Sequence, residues 1–165
     1  MKTKIKSIAA AILTAGILSL GSAFAGPTAT QTVTYAVSAI NELAVSAPTV
    51  SLTVNSATPG SAPNSVSDSS TSYDITTNEV GQKITAAINS DMPSGVTLSL
   101  GLAAPTGATS AGTLALSTSA VDLVTGISTL NETGKTITYT LAATSAAGVV
   151  ASASKTVTLT ITAGL

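Results

Sequence analysis

The chain lacks most of the side chains with which proteins carry out chemistry. Its 165 residues contain no His, no Cys and no Trp, every basic residue is Lys, and the single Phe is Phe24. Without imidazole and thiolate ligands, a structural zinc site is excluded. A Ser nucleophile normally needs a neighbouring His as its base. The composition therefore predicts a protein that is not an enzyme and that carries no metal and no cofactor.

Positive charge is also scarce. After residue 25 only Lys83, Lys135 and Lys155 remain, against seven acidic residues, which gives a net charge of −4. Nucleic-acid binding needs clustered Lys and Arg to displace counterions, and a helix that lies on a membrane surface needs a basic face. The charge balance argues against both kinds of partner.

The first 25 residues have the pattern of an export signal. Three lysines within residues 1–6 precede an apolar stretch at 8–20, and Ala23-Phe24-Ala25 offers small residues for cleavage. A membrane-spanning helix needs about 20 apolar residues, so this stretch is too short to be an anchor. The pattern predicts a signal peptide at 1–25 and one domain at 26–165. The product would be secreted, either to the periplasm or to the extracellular space and cell surface.

Alternation of aliphatic residues with Thr and Ser dominates the rest of the chain. Residues two apart share one face of a strand, so this alternation predicts strands with one buried and one solvated face. The predicted strands are residues 31–37, 50–54, 73–77, 83–89, 96–102, 113–116, 136–142 and 156–163. Together they predict an all-β chain, a single antiparallel immunoglobulin-like or Greek-key β-sandwich of about seven to nine strands.

The segments between these strands are rich in turn-forming residues. Residues 55–72 are predicted to be a long polar loop, and 91–95, 105–107 and 131–135 to be turns. Residues 119–124 and 142–151 are predicted to be short helical turns.

Few residues are candidates for ligand binding. Asp68 and Asp74 flank a Ser-rich stretch and carry the oxygen ligands that Ca²⁺ prefers, but their spacing matches no calcium loop. Tyr35, Tyr73 and Tyr139 are in phase with buried aliphatic positions, so they are predicted to pack in the core rather than to form a sugar-binding platform. A polar, loop-built glycan site is left open.

The export signal, the alternating segment from Gln31 and the closing strand after Lys155 together resemble secreted bacterial surface β-sandwich proteins. Among these, fimbrial-type subunits and spore-coat-U-like domains have the most similar residue pattern, and the resemblance covers residues 26–165. The resemblance implies assembly into a filament or coat. Chaperone–usher pilins usually carry a Cys pair and a Tyr close to the C-terminus, whereas this chain has no Cys and ends Ala163-Gly164-Leu165.

These observations predict a non-catalytic structural protein of the cell surface or extracellular matrix that self-assembles as a fibre, pilus or coat subunit. Its partners would be copies of itself or other surface proteins. The candidate assembly strand is residues 28–37, because a terminal strand can add to the sheet edge of a neighbour. Val33, Tyr35 and Val37 would then fill a groove on that neighbour. The alternatives are pairing within its own sandwich and, for the function, an adhesin or glycan-binding module; a hydrolase is the least supported.

Overall fold

The structure is a computed structural model that describes residues 26–164. The predicted signal peptide therefore lies outside the described residues. The chain divides into one unit that ends at Ala36 and a second unit, Val37–Leu165. Residues 26–36 contain no strand, and Val33 and Tyr35 within them are 73% and 89% exposed.

The second unit is an all-β domain whose nine strands form two antiparallel sheets. A five-stranded sheet has the order β1-β2-β8-β4-β6, and a four-stranded sheet has the order β5-β7-β3-β9. The strands are β1 Asn41–Val45, β2 Val66–Thr77, β3 Gln82–Ile88, β4 Val96–Leu102, β5 Thr109–Ser110, β6 Thr113–Ala115, β7 Val121–Ile127, β8 Leu130–Ala143 and β9 Val157–Ala163. The all-β class and the antiparallel pairing are confirmed.

The alternating pattern explains the core. In β3, Ile84, Ala86 and Ile88 are at most 3% exposed, and Lys83, Thr85 and Ala87 between them are only half-buried. β4 buries Leu98, Leu100 and Leu102 in the same way. These side chains join Tyr73, Leu123, Val124, Ile127 and Ile137 from β2, β7 and β8 in one hydrophobic cluster. Because both sheets contribute to this cluster, they face one another as the two layers of a sandwich do.

Two predicted strands do not form. Residues 31–37 and 50–54 keep their alternating side chains, but neither has a hydrogen-bonded neighbouring strand, and the first strand begins at Asn41. Alternation gives a strand two distinct faces, whereas the strand itself exists only when its backbone pairs with a sheet edge. Leu52 and Val54 are nevertheless half-buried, and Leu52 packs against the core.

Two further predictions are corrected in the opposite direction. The predicted polar loop at 55–72 ends early, because β2 already begins at Val66 and pairs with β8. Most of the predicted helical turn at 119–124 belongs instead to β7, which begins at Val121 and in which Leu123 and Val124 are fully buried. A single turn of 3-10 helix at Ser145–Ala147 agrees with the turn predicted at 142–151.

The predicted turn at 131–135 is also a strand segment. Here the pairing of β2 with β8 is irregular. Tyr73 pairs with Lys135 and Ile75 with Glu132, so β8 has one more residue than β2 between these two pairs. Gly134 takes a positive φ of 68° at this point, which a residue without Cβ adopts at little cost. Its amide donates a 2.8 Å hydrogen bond to the Asp74 carboxylate. The extra residue is therefore accommodated as a β-bulge.

Within the described part of the chain, no helix has the length and apolar character needed to cross a membrane.

Candidate functional site

The predicted assembly segment is exposed along its alternating face. Val33, Tyr35 and Val37 are 73%, 89% and 80% exposed. The prediction that Tyr35 packs in the core is therefore wrong, whereas Tyr73 is fully buried and Tyr139 is half-buried. Large apolar side chains left in water are costly, at about 1.5–3 kcal/mol relative to burial. Three such side chains at alternate positions would be stabilised if a partner covered them.

The chain that follows this segment is fixed in place by one residue. The Asn78 side chain accepts a hydrogen bond from the Ile40 amide at 2.7 Å and donates one to the Ser38 carbonyl at 2.8 Å. The Asn78 amide also donates to the Ile40 carbonyl at 3.2 Å. Asn78 follows directly after β2, so the end of that strand holds residues 38–40 in place.

β9 is one of the two edge strands of the four-stranded sheet. It pairs with β3 through seven successive residue pairs without any irregularity, and no strand described in 26–164 pairs with its other side. The strand contains no charged residue, no Pro and no Gly. Val157, Leu159 and Ile161 point toward the core but remain half-buried, unlike their β3 neighbours.

The remaining sheet edges are less suited to pairing with another chain. β5 and β6 are two and three residues long, and β1 is five residues long and carries Glu42. The first half of β2, which β1 does not cover, carries Asp68. Short strands and charged residues are the usual means of blocking a sheet edge, whereas a long, flat, uncharged edge invites pairing. Among the described strands, β9 is therefore the best acceptor for an added strand.

A groove lies at the start of β9. It consists of two cavities of about 770 and 490 Å³ that share Leu52, Met92, Leu141, Ala153 and Lys155 in their lining. The larger cavity extends along residues 143–153, and the smaller one reaches the inner face of β2 and β8. We call these two cavities together the end groove.

Lys155 is the charged side chain in the lining of the end groove. Its Nζ donates to Ser90 Oγ at 2.7 Å and to the Asp91 carbonyl at 2.8 Å. Ser152-Ala153-Ser154-Lys155 also has the Ser-x-x-Lys spacing of some hydrolases, yet residues 151–156 are not helical. A lysine that acts as a base must be unprotonated, which burial promotes. Lys155 is only half-buried and donates to a carbonyl oxygen. Its role is therefore structural: it connects the 89–91 loop to the start of β9.

One polar atom in the end groove has no partner. Thr71 is 6% exposed, its Oγ1 makes no hydrogen bond within the described residues, and its side chain lines the smaller cavity. Tyr139 lines the same cavity, and burial raises the pKa of its phenol. Leaving a hydroxyl buried without a partner costs about 1–3 kcal/mol, so this cavity is not optimised for the stability of the single chain.

A second polar cluster is structural. The Tyr73 hydroxyl donates to the Ala103 carbonyl at 2.6 Å, and burial, with a smaller contribution from Glu132, raises the Tyr73 pKa to about 12. Glu132 pairs with Lys135 and accepts a 3.0 Å hydrogen bond from the Thr106 amide. The Lys135 contact, followed by Thr106, lowers the Glu132 pKa to about 2. These contacts fix the 103–106 turn against β8.

The two calcium candidates are not brought together. Asp68 accepts hydrogen bonds from the hydroxyl and then the backbone amide of Ser70, which lower its pKa, and Asp74 accepts one from the Gly134 amide. They lie six residues apart on β2, a separation of about 20 Å. Within residues 26–164, no group of three or more His, Cys, Asp or Glu side chains could hold a metal ion.

Comparison with known proteins adds no further assignment: no family model, no curated protein and no solved structure matches the chain. The features of the described residues that bear on function are the exposed segment, the β9 edge and the end groove.

Proposed function

We propose that this protein is an exported, non-catalytic structural subunit of the cell surface or extracellular matrix. In this proposal residues 1–25 are a cleaved signal peptide, and the mature chain starts at residue 26 and self-assembles through its second unit, an immunoglobulin-like sandwich. Each copy donates residues 28–37 to the β9 edge of a neighbour. The observation that carries the proposal is the exposure of Val33, Tyr35 and Val37, together with an edge strand, β9, that has no hydrogen-bonded strand on one side among the described residues.

The backbone of the acceptor supports this pairing. An edge strand presents a row of unpaired N–H and C=O groups, and an added strand satisfies them. β9 is seven residues long, as is the alternating run 31–37. Neither contains Pro, so every residue of both has an N–H to donate.

The side chains of the two segments complement each other in the same register. Val157, Leu159 and Ile161 alternate with Thr158, Thr160 and Thr162 along β9, while Val33, Tyr35 and Val37 alternate with Thr32, Thr34 and Ala36. A paired donor would place its three large side chains over the half-buried face of β9 and its small side chains toward solvent. Burial of the donor face then supplies the driving force for assembly.

The proposal is tested with two matched triple variants of the protein that begins at residue 26. Replacing Val33, Tyr35 and Val37 by Ser removes the apolar face, whereas replacing Thr32, Thr34 and Ala36 by Ser leaves it intact. Light scattering and negative-stain microscopy should reveal polymers for the parent and the second variant and monomers for the first.

Monomers for the parent at high concentration would contradict the proposal. Binding of that monomer on a glycan array would favour the alternative, an adhesin or glycan-binding module. Polymers that persist in the variant without the apolar face would place the contact elsewhere on the protein.

A further inference from the structure

The end groove has a charged group at its centre whose hydrogen-bonding capacity is not used up. A lysine ammonium has three N–H donors, and Lys155 uses two of them, toward Ser90 and Asp91. Lys83 and Lys135 each pair with a carboxylate, at Asp122 and Glu132. Among the residues described in 26–164, no carboxylate lies within ion-pair distance of Lys155. One N–H donor of the Lys155 ammonium therefore remains for a ligand.

The walls on either side of this cation are aliphatic. Leu52, Met92, Val96 and Leu141 are half-buried and line the larger cavity. At its rim Val149 is fully exposed, at 103%, and Val150 is 44% exposed. Two adjacent exposed valines beside an apolar cavity mark a surface that is stabilised when it is covered.

An anionic head and an aliphatic tail are the chemistry that fits this arrangement. The third donor of Lys155 can form a charge-assisted hydrogen bond with a carboxylate, while the apolar walls remove a hydrocarbon chain from water. The cavity is concave and of the size usual for small-molecule sites, about 300–1,000 Å³. From this we infer that the end groove binds a single free fatty acid, with its carboxylate on Lys155 and its chain in the larger cavity.

A free fatty acid is favoured over a lipid in a bilayer by charge. Residues 26–165 carry a net charge of −4, which repels an anionic membrane surface, whereas one carboxylate inside the groove meets the local cation. The inference is independent of strand donation, because all the groove residues belong to one copy of the chain.

Isothermal titration calorimetry of the protein starting at residue 26 tests the inference, with octanoate, decanoate and dodecanoate below their micelle concentrations. Each two-carbon extension should tighten the dissociation constant about tenfold. Decyltrimethylammonium, which has the same chain and the opposite charge, should bind at least ten times more weakly than decanoate. No binding of dodecanoate, or equal binding of both head groups, would overturn the inference.

Two sets of variants locate the site. Lys155→Gln should weaken decanoate about tenfold and leave decanol unchanged, whereas Lys83→Gln, which alters a lysine outside the groove, should change neither. Val149 is exposed, so its substitution does not endanger folding: Val149→Glu should weaken decanoate and Val149→Lys should strengthen it. Identical affinities for the two Val149 variants would contradict the site. Tight binding of a synthetic 28–37 peptide to the groove, with no binding of decanoate, would overturn the inference. The end groove would then be a binding site for residues 28–37 of a second copy of the chain.

Discussion

Leucine truncation at one fully buried and one half-buried position of the hydrophobic core measures how well β9 is covered. Leu100 in β4 is 0% exposed, and Leu159 in β9 is half-buried although it points toward the same core. Replacing a fully buried Leu by Ala costs about 2–5 kcal/mol, because contacts are lost and a cavity remains. Leu100→Ala should therefore cost that full amount. Leu159→Ala should cost about half as much, since water already reaches its side chain.

Urea unfolding of monomeric protein, followed by circular dichroism, provides the measurement. Thr158→Ala is the matched control, because Thr158 is exposed on the other face of β9, and it should change stability by no more than about 0.5 kcal/mol. If Leu159→Ala is as costly as Leu100→Ala in the monomer, β9 is covered within a single chain. The reasoning that makes it an acceptor would then be refuted. A larger cost for Thr158→Ala than for Leu159→Ala would mean that the strand faces are assigned the wrong way round.

Three further predictions follow from single side chains. Thr71→Val removes a buried hydroxyl that has no partner, so thermal unfolding should show stability unchanged or raised by about 1 kcal/mol; a clear loss would mean that the hydroxyl is satisfied. Gly134→Ala forces a side chain into the left-handed region and should destabilise the protein by about 1 kcal/mol or more in urea. The Glu132 pKa is lowered to about 2, so its contribution is present above the unfolded value near 4.5 and is lost as the pH falls from about 5 to 2. Glu132→Gln should flatten that part of the stability–pH curve.

Much of the fold could be predicted from the sequence because alternation reports which side chains are buried. The prediction is accurate where a strand has an apolar inner face and a polar outer face, as in Val96–Leu102. It misses the first half of β2, because Ser67 and Ser69 face solvent and the inner positions are small or polar. There the strand is held across the sheet, where Ser67 and Ser69 hydrogen-bond to Thr140 and Thr138. That partnership joins residues about seventy positions apart and leaves no local pattern.

The candidate site, too, could be predicted from the sequence only in part. The alternation at Val33, Tyr35 and Val37 is a local pattern, so this segment could be identified from the sequence. The pattern does not determine whether the segment pairs with a strand of its own chain or with a strand of another copy. Lys155 and Ser90, which are hydrogen-bonded, lie 65 positions apart in the sequence. The end groove is lined by residues of 47–57 together with residues at the start of β9, which are also far apart in the sequence. Neither feature could be predicted without the tertiary structure.

The most direct test of strand donation uses the absence of Cys from the chain. One population carries Thr34→Cys in the donor segment, and a second carries Thr158→Cys, Thr160→Cys or Thr162→Cys on β9; the two are mixed and oxidised. Residues that face each other on paired strands bring their Cα atoms to about 5 Å, within the reach of a disulfide. The account predicts cross-linked pairs between the two populations for at least one β9 position, and none with Thr138→Cys in the interior of the other sheet. Cross-linking no greater than that control at all three β9 positions would contradict it.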